Sequence, residues 1–137
     1  MVIKDNAHLK DLGLLVLRVS LGLAMLLGHG LLKWSKLIGS EEIKFADPFG
    51  IGMEMSLVLA VFAEVFCSAL LIIGLLSRIS LIPLIITMAV AVFYIHFSDG
   101  FAGFEKALLY LIGYITLMVA GPGKFAVDTL INLKFKK

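Results

Sequence analysis

The chain has 137 residues, 61% of them hydrophobic and 16% charged, with a mean hydropathy of +1.05. So apolar a balance excludes an ordinary soluble domain and indicates a membrane protein. The formal charge of +2 comes from lysines at segment ends without aromatic-interleaved clustering, which excludes nucleic acid as a partner; the single cysteine, Cys67, excludes a disulfide framework and an internal redox pair.

One crossing of roughly 30 Å needs about 20 apolar residues, which leaves room for four crossings and no separate soluble domain. Residues 1–137 therefore read as one all-α membrane domain, an antiparallel four-helix transmembrane bundle. Segment one covers about 12–32. It lacks a small-residue cleavage site and is too long for a signal peptide's apolar core, so it is expected to be retained. Arg18, Gly22, Met25 and His29 form one stripe, because the step from Arg18 to His29 returns to within about 20° of the same direction at helical pitch. Ser20, Ala24 and Gly28 form a small-residue stripe suited to close helix packing.

Residues 33–54 make the one long loop, the candidate lid. Within it Ser40 is expected to cap a short turn carrying Glu41 and Glu42, stopped by Pro48, while Trp34, Phe45 and Phe49 suit the headgroup layer. Segment two, about 55–76, holds Glu64 about 14 Å from its outer end. A carboxylate at that depth must be neutralised, paired or wetted, so it has to face the bundle interior. Its face reads Leu57, Ala60, Glu64, Ser68 and Leu71, with Cys67 alongside, and these small and polar neighbours leave room for a ligand or water. Arg18 is the expected counter-charge; the plain structural reading of Glu64 is an ion pair with Arg18 that fixes helix register.

Ser77 and Arg78 form a tight link to segment three, about 79–97, where Pro83 falls near the first turn and predicts no large kink. His96 ends that segment and Asp99 follows. Segment four, about 105–121, has a short apolar run; it begins with Glu105 and carries Tyr110 and Tyr114 one turn apart. His29, His96 and Glu105 thus gather above Glu64. A haem between His29 and His96 is disfavoured by their closeness to the membrane edge, and no metal-binding spacing links His29, His96 and Glu105. Lys4, Lys10, Arg18, Arg78, Lys124, Lys134, Lys136 and Lys137 outnumber Lys33, Lys36, Lys44 and Lys106, which places both termini on the cytoplasmic side.

The order "LGHGLLKW", "AEVFCSALLIIGLLSR", "AVAVFYIHFSDGF", "FEKALLYLIGY" and "GPGKFAVD" resembles the DoxX family of small four-helix membrane proteins. The landmarks are His29 with Gly30, Glu64, residues 74–78, His96 with Gly100, Glu105, Gly121, Gly123 and Asp128. The resemblance implies a bacterial inner-membrane protein, and a family associated with quinone-linked oxidation and membrane oxidoreductase assemblies.

Two readings stay open. The first is a quinone-linked redox subunit, in which Glu64 and His29 exchange protons as catalytic residues and Arg18, Gly22, Met25, Cys67, Ser68, His96 and Glu105 bind the substrate. Its electrons come from a donor protein or a small donor, which leaves open whether the chain is an enzyme alone or an oxidoreductase subunit needing a partner. The second is a non-enzymatic membrane scaffold or assembly factor whose outer loop binds a client. Homo-oligomers are compatible with both, and proton-coupled passage of a small solute is an outside alternative.

Overall fold

The computed structural model describes residues 6–135; Lys4, Lys136 and Lys137, counted above for orientation, lie outside the described residues. Asn6 starts the first helix by accepting the His8 amide on its side chain at 3.0 Å, an N-cap that satisfies one of the orphan donors of the first turn. Helix α1 then runs over Ala7–Ile38, α2 over Met53–Ile73, α3 over Ser77–Ile95 and α4 over Phe101–Ala120, each long and apolar enough to cross a membrane. A fifth helix, α5, covers Val127–Phe135.

The four long helices form one bundle in which α1 packs against α2 and α4, and α3 packs against the same two. Its core includes Met25, Leu71, Leu84, Met88, Leu111 and Tyr114, while Leu27, Phe62, Ile79, Phe93 and Val119 turn outward. Apolar side chains on the outside of a helical bundle are what a hydrocarbon solvent requires.

Several boundaries differ from the sequence reading. Helix α1 continues through Ile38, so its 32 residues span about 48 Å at 1.5 Å each, more than the hydrocarbon needs. Lys33 is therefore a helical residue and not part of the loop. Helix α4 begins at Phe101, which supplies the length its apolar run lacked. Gly39, Ser40 and Glu41 form a bend and residues 42–47 have no regular structure, so no helical turn forms there. Pro83 sits inside α3 and past its first turn. The Ser20, Ala24 and Gly28 stripe is exposed on the outside of the bundle. Close approach occurs instead at Gly22, where a Cβ would stand 2.5 Å from Ile72 Cγ1, and at Gly30.

The link between α2 and α3 is residues 74–76, not Ser77 and Arg78. Gly74 and Leu76 are both left-handed, with φ of 73° and 50°, and Leu76 is held there from outside the link. Asp128, at the start of α5, accepts the Leu76 amide on Oδ1 and the Ser77 amide on Oδ2, each at 2.8 Å. It thus caps α3 from a distant part of the chain. Although burial works against its charge, these hydrogen bonds from Ser77 and Leu76, helped by the Arg18 guanidinium, hold the Asp128 carboxyl below the usual carboxylate range.

Three helices also contain a π turn: residues Leu26–Gly30 in α1, Phe62–Cys67 in α2 and Ala91–Ile95 at the end of α3. The Leu31 amide donates to the Leu26 carbonyl and the His96 amide to the Ala91 carbonyl at 2.9 Å, each five residues back. Such a turn inserts an extra residue into the helix and re-aims the side chains around it.

Candidate functional site

The π turns of α1 and α2 pack against each other, whereas that of α3 packs against α4; the first two carry His29 and Glu64. Glu64, in the π turn of α2, is 2% exposed. Its Oε2 accepts a hydrogen bond from Lys33 Nζ at 2.6 Å. Lys33 can reach it because α1 continues as a helix, which sets Lys33 one turn beyond His29. A buried carboxylate without a partner would be strongly unfavourable, and the ammonium group removes most of that cost by direct contact.

Arg18, the counter-charge expected from the sequence, lies at the opposite end. Its Nη2 donates to the Phe125 carbonyl at 3.2 Å, and its Nη1 lies so near Gly74 that a Cβ there would be 1.6 Å away. The stripe itself holds, with Arg18, Gly22 and Met25 buried and Met25 and His29 on the cavity wall; the pairing fails on axial distance, because Arg18 lies about 22 Å at helical rise from the level of Lys33. The second cause was the helix end, placed one residue before the lysine that makes the pair.

Around the Lys33–Glu64 pair is a cavity of about 560 Å³, within the roughly 300–1,000 Å³ of sites that hold small organic ligands. All four helices line it: Met25, His29 and Lys33 from α1, Ser56, Leu59, Ala60 and Glu64 from α2, Ile86, Thr87, Met88, Val90, Ala91 and Ile95 from α3, and Ala102, Gly103, Lys106, Ala107 and Tyr110 from α4. His96, just past α3, joins them. The ring of Tyr110 meets that of His29 edge-on at 5.9 Å, with Tyr114 6.0 Å beyond it. His96 Nδ1 faces Asp99 Oδ2 at 3.0 Å.

The long loop covers the cavity, contributing Phe45, Ala46, Pro48, Phe49 and Ile51. Asp47 fixes its shape. One carboxylate oxygen accepts the Ile51 amide at 2.9 Å and the Ser56 hydroxyl at 3.0 Å, and the other accepts the Gly52 amide at 2.9 Å. With the Gly52 amide as the largest contributor, these bonds outweigh desolvation and hold the Asp47 carboxyl below its ordinary range. On the other side Lys36 Nζ donates to the Lys44 carbonyl. The loop is therefore fastened to α1 and to the start of α2.

Of the residues singled out from sequence, Glu64, His29, Met25 and His96 line the cavity. The rest stand elsewhere. Gly22 is a packing contact against Ile72 and Ser68, Cys67 is a buried core residue, Glu105 is exposed and Arg18 is at the other end. Ser68 is fully buried one turn from Glu64, and among the described residues neither its hydroxyl nor that of Tyr114 has a hydrogen-bond partner. Among the described residues no three His, Cys, Asp or Glu side chains gather as metal ligands. Lys33, Lys106 and Asp47 were missed. The signal for Lys33 was available: "LLKWSKLI" keeps helical polarity past the end of the apolar run.

Residues 13–97 match the DoxX family. That segment contains His29, Lys33, Glu64 and His96, whereas Lys106 and Tyr110 lie beyond it. The chain is also similar to an uncharacterized protein of Haemophilus influenzae, 32% identical over 110 residues that make up 75% of this chain and 73% of the relative. An uncharacterized membrane protein of Mycobacterium tuberculosis is 32% identical over 83 residues, 50% of this chain and 51% of that protein. No solved structure matches.

Proposed function

The chain belongs to the DoxX family of membrane proteins, and we propose that its loop-covered cavity binds a lipid-soluble quinone whose two-electron reduction draws its protons from Glu64 and His29. The observation that carries this reading is the Lys33–Glu64 pair, 2.6 Å apart, on the wall of a largely apolar cavity. Conversion of a quinone to a quinol takes up two electrons and two protons. The electrons arrive from a donor protein or a small reductant, while the protons need a relay that persists in a dry interior. Glu64 can take up a proton and pass it to a quinone oxygen, with Lys33 balancing the carboxylate that remains. His29, one turn from Lys33 on the same wall, serves the second oxygen. Arg18 has no part in this exchange, because it stands at the other end of the bundle.

The excess of Lys and Arg on the terminal side supports placing both termini in the cytoplasm, and the relatives from Haemophilus influenzae and Mycobacterium tuberculosis support the bacterial inner membrane as the location. The cavity then opens in the outer half of the bilayer.

The test is Glu64→Gln, which keeps size and hydrogen bonding but removes the titratable proton. In membrane vesicles supplied with a reductant, quinol formation is expected to fall by about 100-fold or more, with quinone affinity changed only a few-fold. Unchanged quinol formation overturns the reading. If the variant lowers only detergent stability, while exchange of residues 40–50 abolishes recovery of co-purifying proteins, the chain is a scaffold and the cavity is not a reaction site.

A further inference from the structure

We infer that the cavity selects an amphipathic molecule with one anionic head, bound at Lys106 beside His29, and an apolar body directed into the gap between α2 and α3. This deepens the reading of the same cavity given above, by naming the charge of its ligand.

The charges on the wall do not balance. Glu64 is matched by Lys33 at 2.6 Å, and His96 faces Asp99. Asp47, within the loop, directs its oxygens to the Ile51 and Gly52 amides and to the Ser56 hydroxyl. Lys106 lines the same space and has no ion-pair partner among the described residues. Glu105, its neighbour in sequence, is not on the cavity wall. The remaining fixed charge is therefore one ammonium group. The small side chains of Ala102 and Gly103 beside it leave its approach open. His29 lines the same space as Lys106.

The opposite wall has a different character. Leu59 of α2 and Ile86 of α3 line the cavity, yet they remain 51% and 54% exposed on the outside of the bundle. Residues that face both a cavity and the membrane form a side opening, through which a lipid-soluble body can enter. Lys106 is exposed while it lines the cavity, so a cationic ligand meets repulsion there and a single anionic group is attracted.

Two ligands of nearly the same ring separate these cases. Menadione is a neutral naphthoquinone, and lawsone is a hydroxylated one that is anionic at neutral pH. Calorimetric titration of the full chain in nanodiscs, after subtraction of partition into empty discs, is expected to show lawsone binding at least about tenfold more tightly. Lys106→Gln should remove that preference while leaving menadione affinity within about twofold, and Lys106→Arg should retain it. Equal affinities in the native chain, or a preference that persists in Lys106→Gln, overturn the inference. Dodecanoate and dodecanol separate it from the quinone reading. If neither naphthoquinone binds but dodecanoate binds and dodecanol does not, the anion preference stands and the quinone reading fails. If menadione and lawsone bind alike, the reverse holds. Absence of binding by all four compounds overturns both.

Discussion

Gly30 of α1 presses against the backbone of Glu64 in α2: a Cβ added to Gly30 would stand 2.5 Å from the Glu64 carbonyl oxygen and 2.8 Å from its carbon. The two helices are thus in backbone contact at the level where the acid enters the cavity, and the acid's position depends on a residue that has no side chain. Gly30→Ala is expected to force the helices apart and cost about 1–3 kcal/mol. Gly28→Ala, two residues away with nothing within 4 Å of the added carbon, is expected to be neutral or to stabilise by up to about 1 kcal/mol. Thermal unfolding in detergent compares the two directly; equal effects would remove the significance of the contact.

The Lys33–Glu64 pair should appear as coupling. Lys33 is 24% exposed at its side chain and Glu64 only 3%, so the pair is shielded mainly from the acid's side. Lys33→Met is expected to cost about 2 kcal/mol by leaving the carboxylate unmatched, and adding Glu64→Gln should recover most of that loss. Arg18→Met should be additive with Glu64→Gln to within about 0.5 kcal/mol. A double-mutant cycle in chemical denaturation reads both, and coupling to Arg18 in place of Lys33 would contradict the geometry.

The loop should loosen in acid. Asp47 has a folded-state pKa below its unfolded value, so the stability it confers is present above the unfolded value of about 4 and is lost as pH falls through the folded one. Hydrogen exchange at the Ile51 and Gly52 amides, corrected for intrinsic rates, is expected to accelerate across that window. In Asp47→Asn the exchange should be faster at neutral pH and show no such window. Protection independent of pH in the native chain would mean that another contact holds the loop.

At the other end, Asp128→Ala removes the acceptor for the Leu76 amide of the link and the Ser77 amide that starts α3 and is expected to cost about 1–2 kcal/mol. Leu76→Gly relieves the left-handed strain at that position, so its effect should stay within about 0.5 kcal/mol of neutral. Gly74→Ala should be far more damaging than either, since its Cβ would fall on the Arg18 guanidinium. Unfolding midpoints of the three variants test the order.

Much of the candidate site could be read from residue type alone. Glu64 was legible because an acid has no place on a lipid-facing surface, and His29 and His96 because they end apolar runs on the same side of the bundle. Lys33 was not, since hydropathy records where apolar character stops and not where the helix does. Lys106 looked like any lysine at a helix start until α4 brought it onto the same wall as Glu64.

The sequence by itself determined that the chain carries four membrane-crossing helices and that Glu64 faces inward, because each follows from the cost of placing polar groups in hydrocarbon; the order of its motifs carried the resemblance to DoxX. Which cation meets that acid, where Arg18 goes and whether a cavity exists were decided only in three dimensions. Three π turns shift the helical register by a residue each, and Gly30 lets two backbones touch. These are properties of helices packed together, and the hydrophobic pattern of a single segment does not contain them.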